Sequence, residues 1–185
     1  VPDGAEALVM MLGAHTFEPA GHRVIFDDPT LQAVASAGAR LEDTTVVDGN
    51  LIANPGFEVQ YPVSGGPAGW SINDWAVEKG SVALESADEA RSGETSVRAR
   101  LTRPENVVIS PTITDAVHGA RKLRFSCWYR LPESGEVYVS VITHARDGRR
   151  LQYLNSEPGT TVGEWAELEY EFSSDPQTHS LSVYI

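Results

Sequence analysis

Val137-Tyr138-Val139-Ser140-Val141-Ile142-Thr143-His144 runs through Ala145-Arg146-Asp147-Gly148-Arg149 into Arg150-Leu151-Gln152-Tyr153-Leu154-Asn155. Apolar and polar side chains alternate along the first flank, which on an extended backbone sends one set to a core and the other to solvent. Asp147-Gly148 tolerates the positive φ that a two-residue hairpin turn demands at both central positions. A hairpin is therefore expected, with Arg146 opposite Arg149, Ile142 opposite Tyr153, Ser140 opposite Asn155 and His144 opposite Leu151. Val139, Val141 and Leu154 form the greasier face, which should meet the core. Tyr138, Ser140, His144, Tyr153 and Asn155 are left on a partly solvated surface.

The same short alternations, broken by Gly, Pro, Asp and Asn, extend outward in both directions from residue 77 to the end. Strands are expected at Ser81 to Glu85, Ser96 to Leu101, Val107 to Ser110, Leu123 to Leu131, Glu136 to Ala145, Arg150 to Asn155, Ala166 to Phe172 and Ser180 to Ile185. In Leu123 to Leu131 the inward set is Leu123, Phe125, Cys127, Tyr129 and Leu131, and the outward set is Arg124, Ser126, Trp128 and Arg130. Cys127 then behaves as a small buried hydrophobe. Ala166, Leu168, Tyr170 and Phe172 point in; Glu167, Glu169 and Glu171 point out, a solvated strand face that discourages edge pairing. The one stretch with any helical character is Pro29 to Arg40, which also reads as a linker.

The chain has 185 residues, 14 Lys+Arg against 26 Asp+Glu for a net charge of −12, and 41% hydrophobic residues. That is the composition of a folded domain. So acidic a chain repels phosphate backbones and anionic lipid, so neither nucleic acid nor membrane is an expected partner. No apolar run approaches the roughly 20 residues needed to span a bilayer; the longest, Ala7 to Leu12, reads as a buried strand. A single cysteine excludes an intramolecular disulfide framework and a multi-thiolate zinc site. The chain opens at Val1 without Met, as a processed or excised piece would. No nucleophile motif, phosphate loop or His-Glu-x-x-His is present, and His15, His22, His118, His144 and His179 stand singly, as surface or capping residues.

The two ends resemble each other. Asp175-Pro176-Gln177-Thr178-His179-Ser180-Leu181-Ser182-Val183-Tyr184-Ile185 and Pro2-Asp3-Gly4-Ala5-Glu6-Ala7-Leu8-Val9-Met10-Met11-Leu12 are each a Pro-led polar turn followed by an apolar strand. Only the N-terminal segment goes on to a closing strand, His22-Arg23-Val24-Ile25-Phe26-Asp27-Asp28. Residues 1–33 therefore read as the closing strands of a β-sandwich unit, 34–45 as a linker or short helix, and 46–185 as the main unit lacking its last strand. A strand left without a partner exposes unpaired backbone groups. Residues 1–33 should either pack back as part of a circularly permuted sandwich or complete a neighbouring chain by strand exchange.

Asn50-Leu51-Ile52-Ala53-Asn54-Pro55-Gly56-Phe57-Glu58, followed by Gly69-Trp70, resembles the opening of a carbohydrate-binding module of the family 4/9/22 type. Ser92-Gly93-Glu94-Thr95-Ser96, the Ser-x-Trp strand Leu123 to Arg130, Trp165 before a strand, and Leu181 to Ile185 follow in the family's order. The family's closing strand has its likeness at Val24-Ile25-Phe26-Asp27-Asp28. The resemblance implies an all-β fold, a jelly-roll β-sandwich of two antiparallel sheets of the galactose-binding-domain-like kind, with strands from residues 5–31 completing it. It also implies a structural calcium, held by Glu58 and Asp27 with backbone carbonyls near Ser92 to Ser96 as further oxygen donors. Trp70 is expected to plug the sandwich end and Trp165 to anchor the core.

Sugar rings stack on aromatic planes while their hydroxyls take hydrogen bonds from polar neighbours. Trp128 with Arg130, and Tyr138 with Ser140, His144, Tyr153 and Asn155, supply that composition if their strands share the concave sheet; Trp75 could serve as a rim platform. Each aromatic equally fits packing against a neighbouring strand. Three readings follow. The first is a non-catalytic module that binds polysaccharide or oligosaccharide and belongs to a larger secreted or cell-surface protein, whose catalytic or surface domains are its partners. The second is a structural module that joins domains or chains by strand complementation. The third is part of an enzyme whose active site lies elsewhere.

Overall fold

In the computed structural model, the described residues are 12–15, 23–33, 50–60, 67–72, 82–87, 89–101, 108–111, 113, 119 and 121–184. The strands are β1 (Leu12–His15), β2 (Arg23–Ala33), β3 (Trp70–Ile72), β4 (Val82–Ala87), β5 (Ser96–Leu101), β6 (Ile109–Pro111), β7 (Lys122–Arg130), β8 (Glu136–His144), β9 (Arg150–Asn155), β10 (Ala166–Ser173) and β11 (Ser180–Tyr184). No helix occurs among the described residues. One sheet runs β10-β7-β2-β5-β4; a second places β8 against β1, β11 and β9; β3 and β6 form a two-stranded ribbon. All the named pairings are antiparallel. The fold is the all-β sandwich that the alternation predicts, with the ribbon as an addition that it does not.

The core lies between the two larger sheets. Val24, Phe26 and Leu31 of β2, Val97 and Ala99 of β5, and Leu123, Phe125, Cys127 and Tyr129 of β7 face Val137, Val139 and Val141 of β8 and Leu181 and Val183 of β11. Fully burying each such aliphatic or aromatic side chain contributes about 1.5–3 kcal/mol, so the period-two pattern fixes which face of each strand turns inward. In β7 and β10 the inward and outward sets are those the sequence predicts. Trp165 is half-buried instead of anchoring the core.

β2 is the middle strand of its sheet, between β5 and β7. Its residues 29–33 overturn the helical alternative for Pro29 to Arg40, while residues 34–45 lie outside the described set. A one-residue bulge explains how so long a strand keeps its face: Asp27 pairs with Trp128 but Thr30 with Ser126. The extra residue flips side-chain parity, so that Val24 and Phe26 before it and Leu31 after it all reach the core. Asp28 takes φ 49° at the bulge, a conformation that Asp tolerates better than most residues. The Asn50 side chain closes the kink: its Oδ1 accepts from Leu31 N (2.9 Å) and Ile52 N (3.1 Å), and its Nδ2 donates to Pro29 O (2.9 Å).

β11 and β1 lie end to end along one edge of β8. Ser180 to Tyr184 pair with His144 to Ser140, and Leu12 to His15 continue without a gap from Val139 to Glu136. The two segments thus act as one nine-residue strand built from distant parts of the sequence.

The hairpin differs from expectation at its tip. Gly148 N donates to Ala145 O (2.9 Å) and Ala145 N to Arg149 O (2.9 Å), enclosing the three-residue loop Arg146-Asp147-Gly148. Gly148 has φ 79°, but Asp147 does not adopt positive φ, so the two-residue turn cannot form. A three-residue loop with one left-handed glycine replaces it. The register shifts accordingly: His144 pairs with Arg150, not Leu151, whereas Ser140–Asn155 and Ile142–Tyr153 pair as expected.

Candidate functional site

The Asn54-Pro55-Gly56-Phe57-Glu58 turn is architectural. Asn54 Nδ2 donates to Val59 O (2.8 Å) and Ala68 O (2.9 Å), and its Oδ1 accepts from Val59 N (3.1 Å). Trp70 Nε1 donates to Asn54 O (3.1 Å), and the Trp70 ring meets buried Phe57 at 4.7 Å between centroids. Trp70, 6% exposed, packs as expected.

Glu58 and Asp27 both serve the loop at residues 91–95. Glu58 Oε1 accepts from Glu94 N (2.8 Å) and Thr95 N (3.1 Å), and Oε2 from Thr95 Oγ1 (3.2 Å). Those donors, the backbone amides first, pull its carboxyl below the usual glutamate range. Asp27, fully buried, accepts from Arg91 N (2.6 Å) and Ser92 N (3.1 Å) on Oδ2 and from Asp28 N (2.9 Å) on Oδ1. Burial pushes its carboxyl up, and the amides of Ser92 and Arg91 oppose this. A carboxylate offers about four lone-pair directions, so each keeps roughly one unspent. A hard, oxygen-seeking cation at either carboxylate would need carbonyl oxygens to complete its shell. Among the described residues no three His, Cys, Asp or Glu side chains gather as a metal cluster.

The expected sugar-contacting residues do not share one sheet. Trp128 and Arg130 lie on β7, on the outer face of the five-stranded sheet; Tyr138, His144, Tyr153 and Asn155 lie on β8 and β9, in the other sheet. Since both sheets turn their inner faces to one core, the two sets look out from opposite sides of the sandwich. Trp75 lies outside the described residues.

At the first face Trp128 is already engaged. The Arg91 guanidinium carbon sits 3.7 Å from the centroid of its ring, a cation–π contact that occupies one face of the indole. Arg91 also reaches Asp28 Oδ2 at 3.5 Å, Ser92 Oγ donates to Asp28 Oδ1 (2.7 Å), and Arg130 Nη1 pairs with Glu89 Oε2 (2.9 Å). The loop that Asp27 pins thus folds over this face.

Away from the hairpin tip, the second face is open only at Tyr153 and Asn155, since Ser140 and Ser182 on it are 3% and 5% exposed. Tyr153 is 54% exposed and pairs across the sheet with Ile142, which pairs in turn with Ser182. In the next row Ser140 Oγ donates to Asn155 Oδ1 (2.6 Å). Tyr138 pairs with Gly13, which brings no side chain to that face. Burial, then the neighbouring Tyr153 and Glu136, raise the Tyr138 hydroxyl above its ordinary range. His144 is drawn to the hairpin tip, its Nδ1 3.3 Å from Gly148 O.

Residues 49–185 match the carbohydrate binding domain family of the 4/9 type. The chain belongs to that family. No curated protein and no solved structure matches the chain. The family match begins after β2, so the strand at the centre of the larger sheet is contributed from outside the matched residues. The residue that alternation does not reveal is Arg91, which stacks on Trp128 from a loop without strand periodicity.

Proposed function

We propose that this carbohydrate binding domain holds polysaccharide or oligosaccharide on the outer face of the β8–β9 sheet and performs no chemistry on it. The observation that carries the reading is Tyr153, a large aromatic left 54% exposed beside Tyr138 and the Ser140–Asn155 hydrogen bond. An accessible ring offers a stacking plane, and the exposed Asn155 amide beside it can exchange hydrogen bonds with sugar hydroxyls. Trp128 is the weaker platform, because Arg91 already covers it. Calcium on Asp27 and Glu58 belongs to the same proposal: it would supply positive charge next to a buried carboxylate and stiffen the 91–95 loop. Attachment to a larger exported protein is supported by the family resemblance alone.

Affinity electrophoresis against neutral glucans, xylan and mannan tests the proposal. Tyr153→Ala is expected to abolish retardation by whichever polymer retards the native chain, at unchanged melting temperature, while Trp128→Ala retains it. Failure of every polymer to retard the native chain, or retention by Tyr153→Ala, refutes the assignment. The calcium reading is tested separately, since an ion bound only by the folded state must raise the melting temperature; indifference to a chelator removes it.

The end-to-end seating of β11 and β1 against β8 supports a second reading, assembly by strand complementation. A segment held at one edge by backbone pairing can be supplied by another copy of the chain. Light scattering across a hundredfold concentration range decides it: a dimer growing with concentration favours exchange, and an invariant monomer excludes it.

A further inference from the structure

The tip of the β8–β9 hairpin carries a charge that the Tyr153 platform borders. Arg146, Arg149 and Arg150 fall within five consecutive residues of a chain with 14 Lys+Arg against 26 Asp+Glu, and all three are exposed. Among the described residues, none of the ion pairs engages them. Two carboxylates stand in the tip and in the turn before β11, and each is spent on its own turn: Asp147 Oδ1 accepts from Arg149 N (3.0 Å), and Asp175 Oδ1 accepts from Gln177 N (2.7 Å). With three guanidinium groups against two carboxylates among the described residues of these turns, the tip reverses the sign of a chain whose net charge is −12.

The shifted register turns one of these arginines onto the sugar face. A two-residue turn would set Leu151 opposite His144; the three-residue loop and the irregularity after Thr143 set Arg150 there instead, while Ser180 of β11 pairs with His144 on its other side. Residues directly opposite each other share a face, so the row Arg150-His144-Ser180 lies next to the row Tyr153-Ile142-Ser182 on the outer face of the β8–β9 sheet. Two residues of extended strand separate Ile142 from His144, about 7 Å along β8. The long side chain of Arg150 therefore has its head within reach of the ring that would follow one stacked on Tyr153, which is itself 54% exposed.

We propose that the Tyr153 face prefers an acidic sugar: with one ring stacked on Tyr153, a uronic acid at the neighbouring position gives its carboxylate to the Arg150 guanidinium, in the field of Arg146 and Arg149. A guanidinium fork matches a carboxylate with two parallel N–H···O bonds, a geometry that neutral hydroxyls do not reproduce. The proposal rests on the Tyr153 reading and adds a ligand class to it. Because Arg150 is exposed, the pair forms against water, where ion pairs are weak and screened by salt; the gain over a neutral ring is severalfold. The −12 net charge repels long polyanions, so the fitting ligand is a short oligosaccharide or a mostly neutral chain with isolated acidic residues.

Calorimetric titration of the intact chain tests it, with a galacturonate trimer, a glucuronate-containing trimer, and the methyl ester of each, which keeps the ring and removes the charge. At least one acid is expected to bind about three- to tenfold more tightly than its ester at low salt, and to lose most of that advantage at about 0.5 M salt. Arg150→Gln should bring the acid down to the affinity of the ester, leaving the ester and the melting temperature unchanged; Arg150→Lys, which keeps the charge without the fork, should fall between. Tyr153→Ala should abolish binding of acid and ester alike. Equal binding of acid and ester, or acid affinity unchanged in Arg150→Gln, overturns the acid preference and leaves the Tyr153 platform standing. Acid binding that persists in Tyr153→Ala puts the acid elsewhere and overturns the proposal too. Binding of neither acid overturns it whatever the neutral polymers do, and their retardation then decides the Tyr153 reading separately.

Discussion

Asn54→Ala tests whether the Asn-Pro-Gly-Phe-Glu turn is architecture or ligand contact. The side chain makes three hydrogen bonds, to Val59 O, Ala68 O and Val59 N, at 2.8, 2.9 and 3.1 Å. A typical intramolecular hydrogen bond contributes about 0.5–1.5 kcal/mol net, and water repairs part of the loss at the two exposed bonds to Val59. Asn54 also holds φ 49°, where a residue with a Cβ and no local hydrogen bond is penalised by about 1–2 kcal/mol. The combined cost is about 3 kcal/mol, read as a lower urea midpoint at unchanged m. Asn54→Gly removes the same bonds without the backbone penalty, and should be about 1 kcal/mol less harmful than alanine. A loss below about 1 kcal/mol in both variants refutes the structural role. So does a loss of sugar retention in a variant whose midpoint has not moved.

Three further outcomes follow from single contacts. Burial drives the Cys127 thiol far above its ordinary range, so iodoacetamide at neutral pH should leave the native chain unmodified and alkylate it fully in urea; rapid native labelling contradicts a buried Cys127. Lys122 and Arg124 hold the Glu171 carboxyl below its ordinary value of 4.5, so this pairing stabilises the fold above that pH and is lost as pH falls through the lower folded value. Glu171→Gln should therefore be less stable than the native chain at pH 7 and converge with it in acid; a gap that widens on acidification contradicts the sign. At Gly159 a Cβ would come within 2.5 Å of the Tyr129 hydroxyl oxygen and 2.7 Å of Cζ, while Gly159 N and O are both bonded to Val137 (2.7 and 2.9 Å). With neither side able to yield freely, Gly159→Ala should cost about 1–3 kcal/mol, and an unchanged denaturation midpoint would show that the loop moves aside.

Period-two alternation made the two sheets legible wherever a strand has one face in the core, as at Leu123 to Leu131 and Ala166 to Phe172. It missed β3, because three residues hold too little pattern, and it left Pro29 to Ala33 ambiguous, because a bulge interrupts the period there. The hairpin tip was misread for a different reason. Asp-Gly permits positive φ at both positions but does not require it, and the three-residue loop needs it only at Gly148. Face assignments survived in the site as well: Tyr138, Tyr153, Trp128 and Arg130 all point outward. What alternation cannot give is which strands are neighbours in space, and that is why one expected surface became two.

β2 sets how far the matched stretch can account for the fold. Residues 49–185 carry the family match, yet β5 and β7 do not pair with each other; both pair with β2, which ends at Ala33. Without it, two strand edges in the middle of the larger sheet would lose their backbone partners, and such unpaired edges are prone to adding a foreign strand. Val24, Phe26 and Leu31, all buried at 1% exposure or less, would leave the core as well, each with about 1.5–3 kcal/mol of burial. The same strand holds Asp27, which pins the 91–95 loop. The segment that falls outside the family match therefore closes the sandwich and also anchors the loop whose Arg91 covers Trp128.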